Sequence, residues 1–187
     1  MIEREIKVML TCQEYSTLVT TMYEYAKPLV QTNYYFDTED LSMNKKGITC
    51  RIRYKDCTYI STVKNHNTNN PYLSTEHDLY ESRKLYPNIF SVLGLHCLGE
   101  LVTERYTLYK NDYCEMVLDR NTYLGKNDFE LEIEYLEDHK ENAEKCLNDV
   151  ADLLLCYRCI ADKSELFYRV QKGKSKSERF FAELLKK

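Results

Sequence analysis

Charged side chains recur at every second position along several stretches of this sequence, and their signs are sorted by stretch. Glu3, Glu5 and Lys7 alternate with Ile2, Ile6 and Val8, and only Arg4 interrupts the apolar set. Arg51 and Arg53 stand two residues apart, Lys64 falls in line with Thr62, and Glu76 with Asp78. Arg105 comes next, then Glu115 and Asp119, and finally Glu130, Glu132 and Glu134 at i, i+2 and i+4. In extended chain each of these sets shares one face. Three carboxylates so spaced repel one another and are costly in a confined site without a counter-cation. Hard divalent cations such as Mg²⁺ or Mn²⁺ take oxygen ligands of this kind. Arg and Lys suit phosphate oxygens, with Arg able to bind them through two parallel N–H groups. Carboxylates for a metal beside bases for phosphate point to a polyanion–metal site. Any one of these stretches alone reads as a solvated face; the seven together carry the argument.

The elements that must position these residues are mostly strands. Alternation over 2–10 marks a strand, and 29–37, 48–55, 58–65, 73–80, 100–110, 113–123 and 128–137 likewise read as extended. Lys55-Asp56-Cys57 and Asn111-Asp112 are placed as hairpin turns, and HNTNNP at 66–71 has loop composition. Helical spacing predicts helices over 12–26, with Thr11 as N-cap and Lys27-Pro28 as terminator, and over 82–98 and 140–160. A basic helical tail, KGKSKSERFFAELLKK, closes the chain. The faces opposite the charges are apolar: Ile52; Val63; Cys114, Met116 and Leu118; Leu131, Ile133 and Tyr135. An open sheet would turn the charged face to solvent. A closed one would make a tunnel lined by acids and bases with the apolar face packed outward on helices. The expected class is α+β, an eight-stranded antiparallel closed β-barrel with helices packed outside.

Composition narrows the functional classes. The chain has 187 residues, which suits one domain over 1–187 with a C-terminal helical tail at about 163–187. An apolar fraction of 43% is enough for a packed core. Lys+Arg 26 against Asp+Glu 30, a net charge of −4, argues against a generic nucleic-acid surface. No apolar run reaches the roughly 18 residues of a membrane span. The opening MIEREIKVML lacks an apolar signal core, so a cytoplasmic location is expected. Eight cysteines in such a chain read as reduced structural thiols, and the Cys156/Cys159 pair lacks the further ligands of a zinc site.

Glu3-Arg4-Glu5-Ile6-Lys7 is an ExExK motif. With TNYYFDT at 32–38, CRIR at 50–53, TVK at 62–64, ERY at 104–106, LDRNTYLG at 118–125 and ELEIE at 130–134, the chain resembles the CYTH superfamily of triphosphate tunnel metalloenzymes. That superfamily includes inorganic triphosphatases, thiamine triphosphatases, fungal-type RNA triphosphatases and class IV adenylyl cyclases. The resemblance implies a tunnel that binds a triphosphate with Mg²⁺ or Mn²⁺. It makes Glu3 and Glu5 metal ligands, with Glu130, Glu132 and Glu134 supplying the far acidic side and Glu76 a looser match. It assigns phosphate to Lys7, Arg51, Arg53, Lys64 and Arg105, and a second metal or a water to Asp119. Glu5, Lys7 and Asp119 are the implied catalytic residues. Lys174, Ser175 and Lys176 resemble tail residues that close over phosphate, although a solvated basic helix has the same composition.

Hydrolysis and cyclisation share this frame, so the fold alone does not choose between them. Short chains of this family without an added helical domain resemble tripolyphosphatases most, and no purine-recognition motif stands out, so the resemblance favours inorganic tripolyphosphate hydrolysis. Thiamine or nucleoside triphosphatase comes next, then adenylyl cyclase; a triphosphate-binding module without turnover is the non-enzymatic reading. The expected partners are a small-molecule triphosphate and at most a second copy of the chain, with no nucleic acid and no membrane.

Overall fold

Strands with one charged and one apolar face can leave the charged face to solvent or enclose it, and the chain encloses it in a closed barrel. The computed structural model describes residues 2–22, 28–66, 73–83, 86–170 and 173–186, without the side chains of residues 2, 3 and 73. The strands are β1 (Ile2–Leu10), β2 (Leu29–Asp37), β3 (Ile48–Lys55), β4 (Thr58–His66), β5 (Leu73–Ser82), β6 (His96–Lys110), β7 (Cys114–Tyr123) and β8 (Lys126–Tyr135). They pair antiparallel in the closed order β1-β5-β4-β3-β2-β6-β7-β8. The closing strand is β1, which pairs with β5 over Ile2–Arg4 and with β8 over Glu5–Leu10. The turn at Asp56-Cys57 has both residues at positive φ, 50° and 59°, as a two-residue hairpin loop with the right twist requires.

Helices α1 (Cys12–Met22), α4 (Lys140–Cys156) and α5 (Lys163–Val170) cover the outer apolar face of β1, β7 and β8. Ile6, Val8, Met116, Leu118, Leu131 and Ile133 meet Leu18, Leu147, Val150, Leu154 and Leu166 there, all buried. Thr11 caps α1 as expected: its Oγ1 accepts from Glu14 N at 3.2 Å, and Glu14 Oε2 accepts from Thr11 N at 2.7 Å. Glu14 then holds the Arg169 guanidinium through both oxygens, at 2.7 and 2.8 Å, tying α5 to α1. The expected end of the first helix, 23–27, and most of the expected 66–71 loop lie outside the described residues. No described helix is long and apolar enough to cross a membrane. All eight cysteines are free thiols.

One expected element is absent. Among its described residues, the segment 82–98 does not form one helix: β5 runs on to Ser82, α3 is the single turn Ile89–Val92, and β6 begins at His96. Its apolar spacing comes from tertiary burial rather than helical periodicity. Phe90 and Leu95 drop into a pocket formed by Phe36, Cys50 and Ile52, between Pro87 and the positive-φ Gly94. Between β2 and β3 lies the short α2 (Ser42–Lys45), whose first N–H groups are held by the buried Asp37 carboxylate.

The C-terminal helix α6 (Lys176–Leu184) turns into the barrel. Its Phe180 and Phe181 stack on Tyr35, whose ring centroid is 4.8 and 5.9 Å away, and join Leu101 and Tyr123 in a buried cluster. The bend before it passes so close to β1 that a Cβ on Gly173 would lie 2.9 Å from the Lys7 carbonyl oxygen. Truncating Phe180 to Ala removes a fully buried ring from this plug, and should lower unfolding free energy by about 3–5 kcal/mol in urea denaturation.

Candidate active site

Strand parity and barrel closure together decide which charges meet. The inward residues of β7, β8 and β1 form an acidic wall: Asp119; Glu130, Glu132 and Glu134; Glu5. Opposite in the barrel order, β3 and β4 carry Arg51, Arg53 and Lys64, with Glu76 on β5 beside them. Gln31 and Asn33 on the intervening β2 are neutral and buried. The cavity between the walls is lined by Glu5, Lys7, Arg51, Arg53, Lys64, Glu76, Arg105, Glu132, Glu134 and Lys176. Ten of the expected site residues therefore meet in one space, and Asp119 and Glu130 lie behind Lys176 at its acidic end. The side chain of Glu3 lies outside the described residues.

The walls are cross-linked by ion pairs. Lys7 Nζ lies 3.0 Å from both Glu5 and Glu132. Arg105 donates to both oxygens of Asp119, at 2.8 and 2.7 Å, and to Glu132 at 2.5 Å. On the basic wall Arg51 donates to Glu76 at 2.7 Å. Burial pushes the Glu130 carboxyl up, but the Lys176 ammonium and Arg179 guanidinium outweigh it and hold it at about 2. Glu132 is lowered well below the carboxylate range in the same way, burial being overcome by Lys176, Lys7 and Arg105. Lys7 is the mirror case: burial works against its charge, and Glu5, Glu132 and Glu130 raise it well above the usual lysine value.

Arg53 differs from these. Its Nε donates to Asn33 Oδ1 at 3.2 Å, and no described carboxylate lies within ion-pair distance. Burial lowers it to about 10, helped by the like charge of Arg51, although Glu76 pulls the other way. It is a half-buried cation without an ion-pair partner among the described carboxylates.

Two acidic groups have metal-ligand geometry. One oxygen each from Glu5, Glu132 and Glu134 lies within 4.8 Å of the others, and the same holds for Asp119, Glu130 and Glu132. All-oxygen sets of this kind suit Mg²⁺, Mn²⁺ or Ca²⁺ rather than softer metals.

The tail departs from expectation in detail. Lys174 is exposed and does not line the cavity; only its carbonyl is used, accepting from Arg179 at 2.6 Å. Lys176, two residues on and at the start of α6, is the one that enters. Ser175 caps α6 in a capping box with Glu178, so the chain turns at residue 175 and Lys176 is the first basic side chain to point inward. Several contributors went unread in the sequence, among them Arg179, Asp128, Thr49 and His66. Arg179 donates to Asp128 at 2.8 Å and Glu130 at 2.9 Å. Thr49 donates to Ser177 Oγ at 3.0 Å, and His66 Nε2 lies 3.0 Å from the Thr49 hydroxyl. The S-x-x-E signature at 175–178 was the available signal for a helix start there.

Comparisons with known proteins agree with this architecture. A family model described as the CYTH domain matches residues 1–156. YjbK of Bacillus subtilis (strain 168), provisionally named a triphosphatase, is 29% identical over 154 residues, covering 74% of this chain and 80% of its own. A Bacillus halodurans structure, described provisionally as an adenylate cyclase, superposes with a TM-score of 0.63 at 22% identity, over 80% of this chain and 89% of that one. The Hippeastrum protein HpAC1, described as an adenylyl cyclase candidate with dominant triphosphatase activity, gives 0.55 at 19% identity, over 79% and 87%. These two structures share the fold.

The lowered Glu130 and Glu132 carboxyls make a prediction about acid stability. A carboxyl whose folded value lies below its unfolded value of about 4.3 stabilises fully above that value. The contribution is lost as pH falls through the folded value, about 2 for Glu130. Urea midpoints should therefore fall steadily from pH 5 towards pH 2, and Glu130→Gln should flatten that slope while lowering stability at pH 7.

Proposed function

The chain belongs to the CYTH domain family, and from that premise we propose that it hydrolyses the terminal phosphate of a triphosphate, inorganic tripolyphosphate foremost, with the help of Mg²⁺ or Mn²⁺. The observation that carries the proposal is Arg53: a half-buried guanidinium on the cavity wall that hydrogen-bonds Asn33, has no described carboxylate within ion-pair distance, and feels Glu76 only from further away. A half-buried charge of that kind calls for an anion. Arg51 and Lys64 stand on the same wall, so the anion that fits is one with several charges in a row.

The acidic wall fits a hard cation. Glu5, Glu132 and Glu134 converge, and Glu134 faces the open side with its side chain half exposed. A divalent ion bound there supplies charge neutralisation at the phosphoryl oxygens and polarises a water. The remaining work falls to the chain. Arg51, Arg53 and Lys64 grip the phosphate chain and hold it in line. Lys7 and Arg105, each able to leave one carboxylate for a phosphoryl oxygen, neutralise the charge that develops on the leaving group. A cavity carboxylate accepts the proton of the attacking water. Among the described lining residues only Tyr35 and His66 carry rings, which offers little for stacking a purine or thiazolium and supports an inorganic substrate. In this reading the partner is a small polyanion, the location is the cytoplasm, and neither nucleic acid nor membrane is bound.

The test is phosphate release from tripolyphosphate, thiamine triphosphate and ATP in parallel, with Mg²⁺, Mn²⁺ or EDTA, scoring cyclic AMP from ATP. The expected result is metal-dependent release, fastest from tripolyphosphate. Faster release from thiamine triphosphate would reassign the substrate, and cyclic AMP with pyrophosphate would replace the hydrolase by a cyclase. No turnover, with triphosphate still raising the melting temperature by mass action, would leave a binding module.

Two variants check the assignment of the walls. Glu5→Gln should lower metal-dependent kcat by at least about 100-fold with the urea midpoint little changed, the size of effect typical of losing one well-placed charge-stabilising group. Arg53→Ala should weaken tripolyphosphate binding by about 10-fold or more, the cost of one charge-assisted hydrogen-bonded contact. Isothermal titration with the folded variant measures it.

A further inference from the structure

The two acidic groups are not equivalent, and the difference lies in one side chain of α6. Lys176 Nζ lies 2.8 Å from Asp119, 2.5 Å from Glu130 and 2.9 Å from Glu132. These are the three carboxylates of the inner group. An ammonium has three N–H donors and no acceptor, so three carboxylates at ion-pair distance suit it in number and charge. Asp119 and Glu130 are fully buried, so water does not share in the compensation. The outer group has no single cation at its centre: Lys7 lies 3.0 Å from Glu5 and Glu132, Arg105 reaches Glu132 and, at 4.0 Å, Glu134, and the Glu134 side chain remains half exposed.

We propose that Lys176 is the resident cation of the inner carboxylate group, fills the position a second divalent ion would take, and so makes this a one-metal site. The proposal rests on the metal-dependent reading above only for the first ion, at the outer group. Mg²⁺ and Mn²⁺ need oxygens at about 2.0–2.2 Å, and Ca²⁺ at about 2.3–2.6 Å. The space among the three inner carboxylates already holds a nitrogen at hydrogen-bond distance from each, so ion and ammonium exclude one another.

The lysine is also held in place. Ser175 and Glu178 form the capping box that starts α6. Arg179 donates to Glu130 and Asp128. Phe180 and Phe181 are buried against Tyr35. Gly173 packs against the Lys7 carbonyl. A dication seeking the inner group would have to displace an ammonium fixed by its own helix, whereas the outer group opens to the cavity.

Asp119, Glu130 and Glu132 already face four cations, Lys176, Arg105, Arg179 and Lys7, so the inner group carries no uncompensated negative charge that would call for a dication.

The test is Mn²⁺ stoichiometry without substrate, read from the loss of the free-ion electron paramagnetic resonance signal. The wild-type chain should bind one Mn²⁺, Lys176→Met should bind two, and Lys176→Met with Asp119→Asn should return to one. Lys176→Arg, which keeps the charge, should bind one. Two ions in the wild type would overturn the proposal without any variant, so it stays falsifiable even if Lys176→Met folds poorly. One ion in a folded Lys176→Met would overturn it as well. If Lys176→Met is destabilised, its melting temperature should rise with Mn²⁺ beyond the concentration at which the wild type has saturated; no such rise would count against the proposal. No ion in the wild type but one in Lys176→Met would uphold the role of Lys176 and sink the metal assignment at Glu5. No turnover alongside one and two ions would sink the hydrolase reading alone.

Discussion

The interior of this barrel has to be electrically balanced where water cannot do it. Buried carboxylates at Asp119, Glu130 and Glu132 would each be costly alone, and the fold answers with Lys7, Arg105, Lys176 and Arg179 drawn from three separate parts of the chain. This balance explains why β1 must close against β8: Lys7 reaches Glu132 because those two residues are directly paired. It explains why Arg105 stands opposite Asp119, its cross-strand partner on β7. Register, usually set by the hydrophobic pattern, is here doubly specified, because a one-residue slip would put charges into the outer helical core and apolar residues into the tunnel.

The same balance gives α6 its place. A basic amphipathic helix could have lain on the surface. Instead its first turn delivers Lys176 and Arg179 to the acidic wall while its second delivers Phe180 and Phe181 to Tyr35, Leu101 and Tyr123. Charge pairing and apolar burial act together through one short helix, and neither would be satisfied without the other. The open end of the cavity is thereby left to the outer acidic group and to Arg51, Arg53 and Lys64.

Most of the barrel was legible in the sequence because alternation is a local signal. Every expected strand is present, with boundaries off by a few residues. The segment 82–98 misled because Phe90 and Leu95 are apolar for the sake of a pocket built by β2 and β3, which local spacing does not reveal. The alternating charges of the candidate site were legible on the strands, since parity fixes the face, whereas Asp128, Thr49 and His66, on β8, β3 and β4, went unread because none stands out in the alternating charge pattern. The site was not legible in the tail. Lys174 and Lys176 have the same type and neighbourhood in sequence, and only the turn at Ser175 sends one out and the other in. Arg179 meets Glu130 from 49 residues away, a pairing that no local pattern encodes.

The pairing of the walls also constrains how ligands can enter. In the structure the cavity bases on the acidic side are spent on carboxylates: Lys7 on Glu5 and Glu132, Arg105 on Asp119 and Glu132. A polyphosphate that drew Lys7 or Arg105 towards itself would leave those carboxylates uncompensated in a buried place. A cation that took Glu5 and Glu132 would in turn release Lys7. Each ligand therefore frees the protein group that the other needs, and the coupling must be reciprocal because binding free energies are. Arg53 stands outside this exchange with no described carboxylate to give up, which makes it the natural first foothold for a polyanion arriving ahead of its metal.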